Sequence, residues 1–245
     1  MGESTVPSIS AVLPAWNEEA NVEKAVRDVT AVLESLGGDF EVIVVDDGSR
    51  DRTGEVVKGL MPEFPRLRLV PHPVNRGYGG ALRSGFTAAT KELVFLTPAD
   101  NQFDVQELHK LLPLIPEADI INPYRANRQD PAHRRLNAAA WNGLMRLLFG
   151  YVARDIDCGF KLFRRAVINR VTLTSNGAFL DTELLVGAKA RGLRIVETPV
   201  THLPRTAGSQ TGAKLRVILK AFRELIRYWW RLRRELANER KQEQL

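Results

Sequence analysis

Short apolar stretches alternate with longer amphipathic stretches through the first half of the chain. The apolar stretches predict strands at 9–13, 40–45, 67–70 and 93–96, and a fifth strand beginning at 120–121. The amphipathic stretches predict helices from about 17 to 36, from about 51, from 79 to 89 and from 105 to 112. This alternation predicts an α/β fold, a Rossmann-like, doubly wound and mostly parallel sheet with right-handed crossovers.

The second half of the chain is less regular. Its pattern predicts a polar loop at 126–135, a helix at 138–149, a strand at 158–163, a helix at 181–191, a strand at 194–200 and a polar loop at 201–212. A long amphipathic helix then runs from about 213 to beyond 236. Its apolar face fits packing on the domain or on a dimer partner, whereas Trp229 and Trp230 beside arginines fit a membrane interface. Both interpretations remain open.

Polar residues follow the end of each predicted strand. They are Asn17 and Glu18, Asp46 and Asp47, Asn75 and Arg76, Asp100, and Arg125. Ligands of doubly wound sheets bind beyond the carboxyl ends of the strands, so these five groups are expected to surround one binding cleft.

Charge and composition narrow the classes of partner. The net charge is +6, and the stretch 214–234 contains eight basic residues and one acidic residue. This concentration indicates an anionic partner: a membrane surface, a phosphate ligand or a nucleic acid. The single cysteine, Cys158, fits a reducing compartment. We see no secretory signal and no apolar run near the ~20 residues of a membrane span, so we expect a cytoplasmic protein.

Three motifs allow both a chemical and a structural interpretation. In VDDGSRDRT (45–53), the two aspartates accept hydrogen bonds from a ribose or base, or simply form a turn and a helix cap. In NRGYGGALRSG (75–85), Gly77 and its neighbours allow close approach of an anion, or tight packing of a helix on the sheet. In LVFLTPADNQFD (93–104), Asp100 belongs either to a divalent metal site or to a turn.

Six segments taken in order resemble the family-2 inverting glycosyltransferases with the GT-A fold. The segments are PAWNEE, VDDGSRDRT, NRGYGGALRSGF, PADNQF, CGFKLFRR and ETPVTHLPR, and the resemblance covers roughly residues 7 to 225. It is strongest to the polyprenol-phosphate branch, which contains the dolichol-phosphate mannose synthases and their glucosyl relatives. It implies a catalytic domain at 1–212, followed by a basic amphipathic helix at 213–245.

The resemblance implies roles for residues on the donor side. Pro14, Ala15, Asn17 and Glu18 match the strand end that holds the nucleotide-sugar, and Asp46 and Asp47 match the pair that contacts base and ribose. Ala99, Asp100 and Gln102 match the element that binds Mg²⁺ or Mn²⁺ on the donor diphosphate. The first aspartate of that element is replaced here by Pro98. Mg²⁺ needs only one or two carboxylates besides phosphate oxygens, so we expect a weak metal site that the donor completes. The alternative is loss of the metal, with basic residues neutralising the diphosphate.

The resemblance also implies roles on the acceptor side. Arg125, Arg128, Arg134 and Arg135 lie at or near positions where the family binds the acceptor phosphate. Arg205 matches an arginine that reaches the donor diphosphate. Asp181 and Glu183 lie where many family-2 enzymes have a carboxylate that abstracts the proton of the acceptor. Both carboxylates also fit a helix start, where the helix dipole favours negative charge. Asp155 and Asp157 are further candidates to line the site, and the four histidines are interpreted as incidental.

The expected reaction is therefore transfer of a hexose, preferably mannose, from GDP-mannose or UDP-glucose to a polyprenyl phosphate, with inversion. We expect it at the cytoplasmic face of a membrane, contacted through the C-terminal helix, with a homo-oligomer or a membrane-anchoring subunit as further partners. Three rivals remain: a transferase for soluble hydroxyl acceptors, a non-catalytic nucleotide-sugar-binding subunit, and a nucleic-acid binder. The five polar strand ends argue against nucleic acid.

Overall fold

A computed structural model describes residues 6–126, 132–204 and 215–243 of the chain. Within these ranges the chain forms nine strands: β1 Ile9–Ala15, β2 Phe40–Asp46, β3 Leu67–Pro71, β4 Leu93–Leu96, β5 Ile120–Ile121, β6 Tyr124–Arg125, β7 Lys161–Arg164, β8 Ile195–Val196 and β9 Pro199–Val200. The helices are α1 Val22–Ser35, α2 Thr53–Leu60, α3 Tyr78–Ala88, α4 Leu108–Leu111, α5 Ala132–Phe149, α6 Ala166–Arg170, α7 Phe179–Ala190 and α8 Leu215–Glu243. Two 3₁₀ turns, Val105–Glu107 and Leu112–Glu117, flank α4.

Seven strands form one sheet in the order β3-β2-β1-β4-β7-β5-β8. Strands β1 to β4 are parallel, and β7 runs antiparallel to both β4 and β5. The predicted doubly wound, mostly parallel sheet is therefore confirmed. The reversed direction of β7 was not predicted, because the apolar content of a strand does not encode its direction.

Both faces of the sheet are covered, which explains the nearly continuous apolar strands. Consecutive residues of β1 point to opposite faces, so Leu13 joins a core layer with α1 and Val12 joins a layer with α3 and α7. Helix α8 packs Leu225, Tyr228 and Leu232 into the second layer, against α7. None of the described helices has the length and apolarity that crossing a bilayer requires.

Element boundaries differ from the sequence prediction in several places, including the helix predicted at 105–112, which is a 3₁₀ turn followed by the short α4. Helix α1 starts at Val22 rather than near Asn17, because Asn17 has a left-handed φ of 55° that a helix interior excludes. Residues 132–135 are helical rather than loop, and 127–131 lie outside the described residues. The strand predicted at 158–163 begins only at Lys161. The stretch 194–200 forms two short strands in different sheets. The proposed domain boundary at 212 lies outside the described residues.

Candidate active site

Backbone hydrogen bonds join the carboxyl ends of three neighbouring strands. The amide of Asp47 after β2 donates to the carbonyl of Ala15 at 2.9 Å, and the amide of Ala99 after β4 donates to the carbonyl of Pro14 at 3.2 Å. Residues predicted to hold the nucleotide-sugar and the metal therefore come together at one edge of the sheet. This is the edge where doubly wound folds bind ligands.

The loop after β1 is tied to the loop after β2 by short polar side chains. The amide of Asn17 donates to Oγ of Ser49 at 2.9 Å, and the amide of Arg50 donates to Oδ1 of Asn17 at 2.8 Å. Asp46 accepts from the amide of Ser49 at 3.0 Å. The buried carboxylate of Glu18 accepts from Nδ2 of Asn21 at 2.6 Å. Asn17, Glu18 and Asp46 therefore shape this strand-end surface.

Asp47 holds the glycine-rich loop, residues 75–80. Its carboxylate, only 3% exposed, accepts from the amide of Arg76 at 2.9 Å and the amide of Gly77 at 2.8 Å. Nδ1 of His72 lies 2.6 Å from Oδ1 of Asp47, so this histidine is not incidental. Asp47 is thus occupied in the interior, and Asp46 is the more accessible of the two aspartates.

The elbow after β4 carries Asp100 and Gln102. Asp100 accepts from the amide of Gln102 at 3.1 Å, and Asn101 between them has a φ of 56°. The Gln102 side chain lies beside His202, with 3.5 Å between the two Nε2 atoms, and the backbones of Gln102 and Leu203 are hydrogen-bonded at 2.9 Å. His202 therefore lies at the elbow, although sequence analysis treated it as incidental. About one hundred residues separate the two positions, and only the fold brings them together.

The donor atoms at the elbow fit a divalent cation that a phosphate ligand completes. Asp100 and Gln102 offer oxygen, the ligand type that Mg²⁺ prefers, and His202 adds a nitrogen ligand acceptable to Mn²⁺. Among the described residues there is no group of three or more His, Cys, Asp or Glu that could hold a metal by itself. Pro98, which stands in place of an aspartate, packs against Gly159. A Cβ added to Gly159 would lie 2.9 Å from Cγ of Pro98.

The residues that the resemblance assigns to the acceptor include a half-buried arginine–carboxylate pair. Nε and Nη2 of Arg125 lie 2.7 and 2.8 Å from the two carboxylate oxygens of Asp155. This two-pronged pairing fixes the guanidinium plane. Arg134 lies in the first turn of α5, but its side chain is outside the described part. Arg128 and Arg205 also lie outside the described residues.

A second ion pair, between Lys161 and Asp181, is fully buried. Nζ of Lys161 lies 3.0 Å from Oδ1 of Asp181, and the two side chains are 0% and 2% exposed. The same ammonium donates to the carbonyl of Ile156 at 3.2 Å and to the carbonyl of Cys158. Burial raises the pKa of the Asp181 carboxyl, and the Lys161 charge opposes that shift. Lys161 was not singled out from the sequence, because a lysine in an apolar strand gives no local signal of its partner.

Acidic groups are concentrated between this pair and the elbow. Burial, then the charges of Asp181 and Asp155, raises the pKa of Asp157 to about 6. Burial and the charges of Asp181, Asp157 and Asp100 raise the pKa of Tyr78 well above its usual value. Tyr78, which lies within the glycine-rich motif, is therefore close to these candidate site carboxylates, and no local signal in the sequence indicates that position.

This geometry agrees with comparisons to known proteins. Residues 10–172 match the family described as Glycosyl transferase family 2, and the chain belongs to that family. It is 36% identical over 236 residues to glycosyltransferase AglD of Haloferax volcanii. It is 30% identical over 216 residues to undecaprenyl-phosphate 4-deoxy-4-formamido-L-arabinose transferase of Enterobacter sp.. These alignments cover 91% and 87% of the chain but only 37% and 65% of the two relatives.

A solved structure confirms the predicted GT-A fold. Glucosyl-3-phosphoglycerate synthase of Mycobacterium tuberculosis, crystallised with Mn²⁺, uridine diphosphate and glucosyl-3-phosphoglycerate, superposes with a TM-score of 0.71. The superposition covers 92% of this chain and 80% of that one, at 21% sequence identity. At this identity the likeness concerns the fold alone.

Proposed function

We propose that this chain transfers a sugar from a nucleotide-sugar to a polyprenyl phosphate, with inversion, at a membrane surface. The observation that carries the proposal is the convergence of the ends of β1, β2 and β4 beside Asp100, in a chain of glycosyl transferase family 2. The name of the Enterobacter relative, an undecaprenyl-phosphate transferase, supports a polyprenyl phosphate as the acceptor.

The donor binds at the joined strand ends. Asn17, Glu18 and Asp46 surround its nucleoside, and the elbow faces its diphosphate. The resemblance of the sequence favours GDP-mannose. The M. tuberculosis neighbour was solved with uridine diphosphate, so UDP-glucose is the second donor to test.

Asp100 and Gln102, with His202 beside them, would hold Mg²⁺ or Mn²⁺ once the donor supplies phosphate oxygens. The cation would offset the charge that develops on the leaving diphosphate. That role fits the Mn²⁺ found in the M. tuberculosis neighbour. The residues of this chain orient the diphosphate so that the sugar's anomeric carbon faces the acceptor.

The acceptor phosphate needs positioning more than deprotonation. A phosphate monoester has a second pKa near ~6, so it is largely dianionic at neutral pH and attacks without a strong base. Arg125, held by Asp155, presents a fixed guanidinium on this side, and Arg128, Arg134 and Arg205 are the further cations that we assign to phosphate binding. Asp181 is buried against Lys161, which favours a positioning role over proton abstraction.

The outward face of α8 supports contact with an anionic lipid surface. It carries two exposed apolar side chains, Ile226 (61%) and Trp230 (58%). Exposed arginines lie beside them at helical spacing: Arg223, Arg227, Arg233 and Arg234. An apolar stripe flanked by arginines, with an indole ring, is typical of helices that lie in a membrane interface. A second copy of the chain or an anchoring subunit is an alternative partner for this face.

The test of the transfer reaction is an activity panel. Radiolabelled nucleotide-sugars, GDP-mannose and UDP-glucose first, are incubated with polyprenyl phosphate in vesicles, with and without Mg²⁺ or Mn²⁺, and label is counted in the lipid phase. We expect lipid-linked label that requires a divalent cation. Replacing Asp100 by Ala should reduce the rate of transfer about 10²–10³-fold. The variant lacks the carboxylate that would hold the cation against the negative charge of the leaving diphosphate. The matched control is Asp104→Ala, which removes an exposed carboxylate that only caps the next turn and should keep full activity.

The rival functions give different results in the same panel. Transfer of label to a soluble hydroxyl acceptor in the absence of vesicles would show that the acceptor is a soluble hydroxyl compound rather than a polyprenyl phosphate. Donor binding without release of a nucleoside diphosphate would indicate a non-catalytic subunit. Unchanged transfer by Asp100→Ala would reject the assignment of the elbow.

Vesicle sedimentation tests the membrane face separately. We expect the chain to sediment with vesicles that contain anionic phospholipid and much less with neutral ones, because each arginine near such a surface contributes about 1 kcal/mol. Combined replacement of Arg227, Trp230 and Arg234 by Ala should abolish sedimentation, whereas Lys24→Ala, an exposed cation of α1, should not. Equal sedimentation with neutral vesicles would contradict the electrostatic part of the proposal.

A further inference from the structure

The inner face of α8 reaches the glycine-rich loop through one connecting loop, residues 172–177. We infer that Arg231 and Glu183 are positioning residues that fix this connecting loop, which in turn fixes the backbone of Gly77 and Gly79. The consequence for donor binding rests on the proposed function, together with the anion-binding interpretation of the glycine-rich motif. Helix α8 thus contributes to the site from its far side.

The connecting loop packs backbone against backbone on the glycine-rich loop. The amide of Gly79 donates to the carbonyl of Asn176 at 3.1 Å. A Cβ added at Gly77 would lie 2.4 Å from that same carbonyl oxygen, and one added at Gly79 would lie 2.5 Å from the carbonyl oxygen of Ser175. Contacts this close leave no room for a side chain, so a displacement of residues 175–176 must displace the glycine-rich loop.

Glu183 of α7 holds the other side of the connecting loop. Its carboxylate accepts from the amide of Thr174 at 2.7 Å, from the amide of Ser175 at 2.9 Å and from the hydroxyl of Thr174 at 3.0 Å. The residue is almost fully buried. Hydrogen bonds to a buried carboxylate are stronger than those between neutral groups, so this residue sets the position of the loop.

Helix α8 also binds the connecting loop, through Glu224 and Arg231. These residues are seven positions apart and therefore lie on one face of the helix, two turns from each other. Nη2 of Arg231 lies 2.7 Å from Oε1 of Glu183 and donates to the carbonyl of Thr172 at 3.3 Å, and Nη1 contacts the Thr174 hydroxyl. Glu224 accepts from the hydroxyl of Ser175 at 3.0 Å. Arg231 therefore neutralises the Glu183 charge and binds the loop directly.

The glycine-rich loop is consequently held by hydrogen bonds on two sides. Asp47 binds the amides of Arg76 and Gly77 from the sheet, and the connecting loop binds Gly79 from α7 and α8. The family match ends at residue 172, so the contacts made by the connecting loop, α7 and α8 lie in the C-terminal part of the chain, beyond the matched region.

The experiment compares Arg231→Ala with Arg191→Ala. Arg191 also anchors α8, through Glu235 and Glu239, but makes no contact with the connecting loop among its described hydrogen bonds. Both variants are expected to lower the melting temperature. Only Arg231→Ala should speed amide exchange at 76–79 and 174–177, and only it should raise the KM for the nucleotide-sugar, by about tenfold for a lost hydrogen bond to a charged group. Its kcat should change less, and Arg231→Lys should recover part of the KM.

Amide exchange needs no substrate, so it separates this inference from the proposed function. If no nucleotide-sugar is turned over, the proposed function fails, and exchange at 76–79 still tests how the glycine-rich loop is held. If Arg231→Ala does not fold, Glu224→Gln, which weakens the bond from the Ser175 hydroxyl, is measured instead. The same exchange rate at 76–79 in wild type and in these variants, or equal acceleration in Arg191→Ala, would overturn the inference.

Discussion

The donor side and the acceptor side of the site hold their loops by different kinds of bond. At the ends of β1 and β2, backbone amides donate to short side chains: Asn17 to Ser49, Glu18 to Thr53, and Gly77 to Asp47. On the acceptor side, side chains of opposite charge pair with each other, Arg125 with Asp155 and Lys161 with Asp181. Few ionised groups are paired on the first side, whereas paired charges define the second.

This difference predicts different sensitivities. A hydrogen bond from a backbone amide to a neighbouring side chain depends on local turn geometry, and its loss is felt locally. A buried ion pair is stable only while both partners are present and charged, because either one alone in the interior carries the full desolvation cost. The acceptor side should therefore respond more strongly to single charge removals and to pH.

The largest effect is expected for Lys161→Met. Removing the ammonium leaves Asp181 without its countercharge and leaves the carbonyls of Ile156 and Cys158 without their donor. A broken buried pair typically costs about 3–5 kcal/mol of the free energy of unfolding, measured here by urea denaturation. The double variant Lys161→Met/Asp181→Asn should recover part of that loss.

Lys24→Met is the matched control for this prediction. Lys24 pairs with Asp28 one turn along α1, and both side chains are largely exposed. An exposed pair of this kind contributes about 0.3–0.5 kcal/mol. If Lys161→Met cost no more than Lys24→Met, the buried pair would not organise the acceptor side, and the contrast between the two sides would disappear.

An intermediate effect is expected for Asp47→Asn on the donor side. The asparagine keeps one acceptor oxygen but turns an amide group toward Arg76, Gly77 or His72, and loss of hydrogen bonds to a charged acceptor costs about 1.5–3 kcal/mol. The neighbouring variant Asp46→Asn weakens one hydrogen bond, from the amide of Ser49, by removing the charge of its acceptor. It should lower the free energy of unfolding by about 1 kcal/mol. Urea denaturation of the two variants gives the comparison, and equal losses would contradict the assigned role of Asp47.

The same difference explains what could be predicted from the sequence. The first four strands were predicted to within two residues, because apolar runs and turn residues such as Asp47-Gly48 are local signals. The convergence of Pro14, Asp47 and Asp100 at one edge followed from the parallel order alone.

Long-range pairing explains what could not be predicted. Lys161 pairs with Asp181, twenty residues further along the chain, and His202 contacts Gln102 of the elbow across a separation of one hundred residues. Neither spacing carries a local signal, so the sequence alone indicates no role for Lys161 or His202. The antiparallel direction of β7 and the split of the stretch 194–200 into β8 and β9 likewise depend on which elements the chain meets in space.

An effect smaller than that of Lys161→Met, and dependent on pH, is expected for Asp157→Asn. Burial, with Asp181 and Asp155 nearby and opposed by Arg125 and Lys161, raises the pKa of Asp157 from 3.8 to about 6 in the folded chain. The folded state thus binds this proton more tightly than the unfolded state, so the stability it contributes is full below about pH 3.8 and is lost as pH rises through about 6. Asparagine stays neutral throughout. Asp157→Asn should therefore be more stable than wild type at pH 7.5, by about 1–2 kcal/mol after allowance for partial exposure, and equal to it near pH 4. Thermal unfolding across this range measures the difference, and a constant gap between the two proteins would show that Asp157 titrates normally and that the acceptor side is less charge-sensitive than its ion pairs indicate.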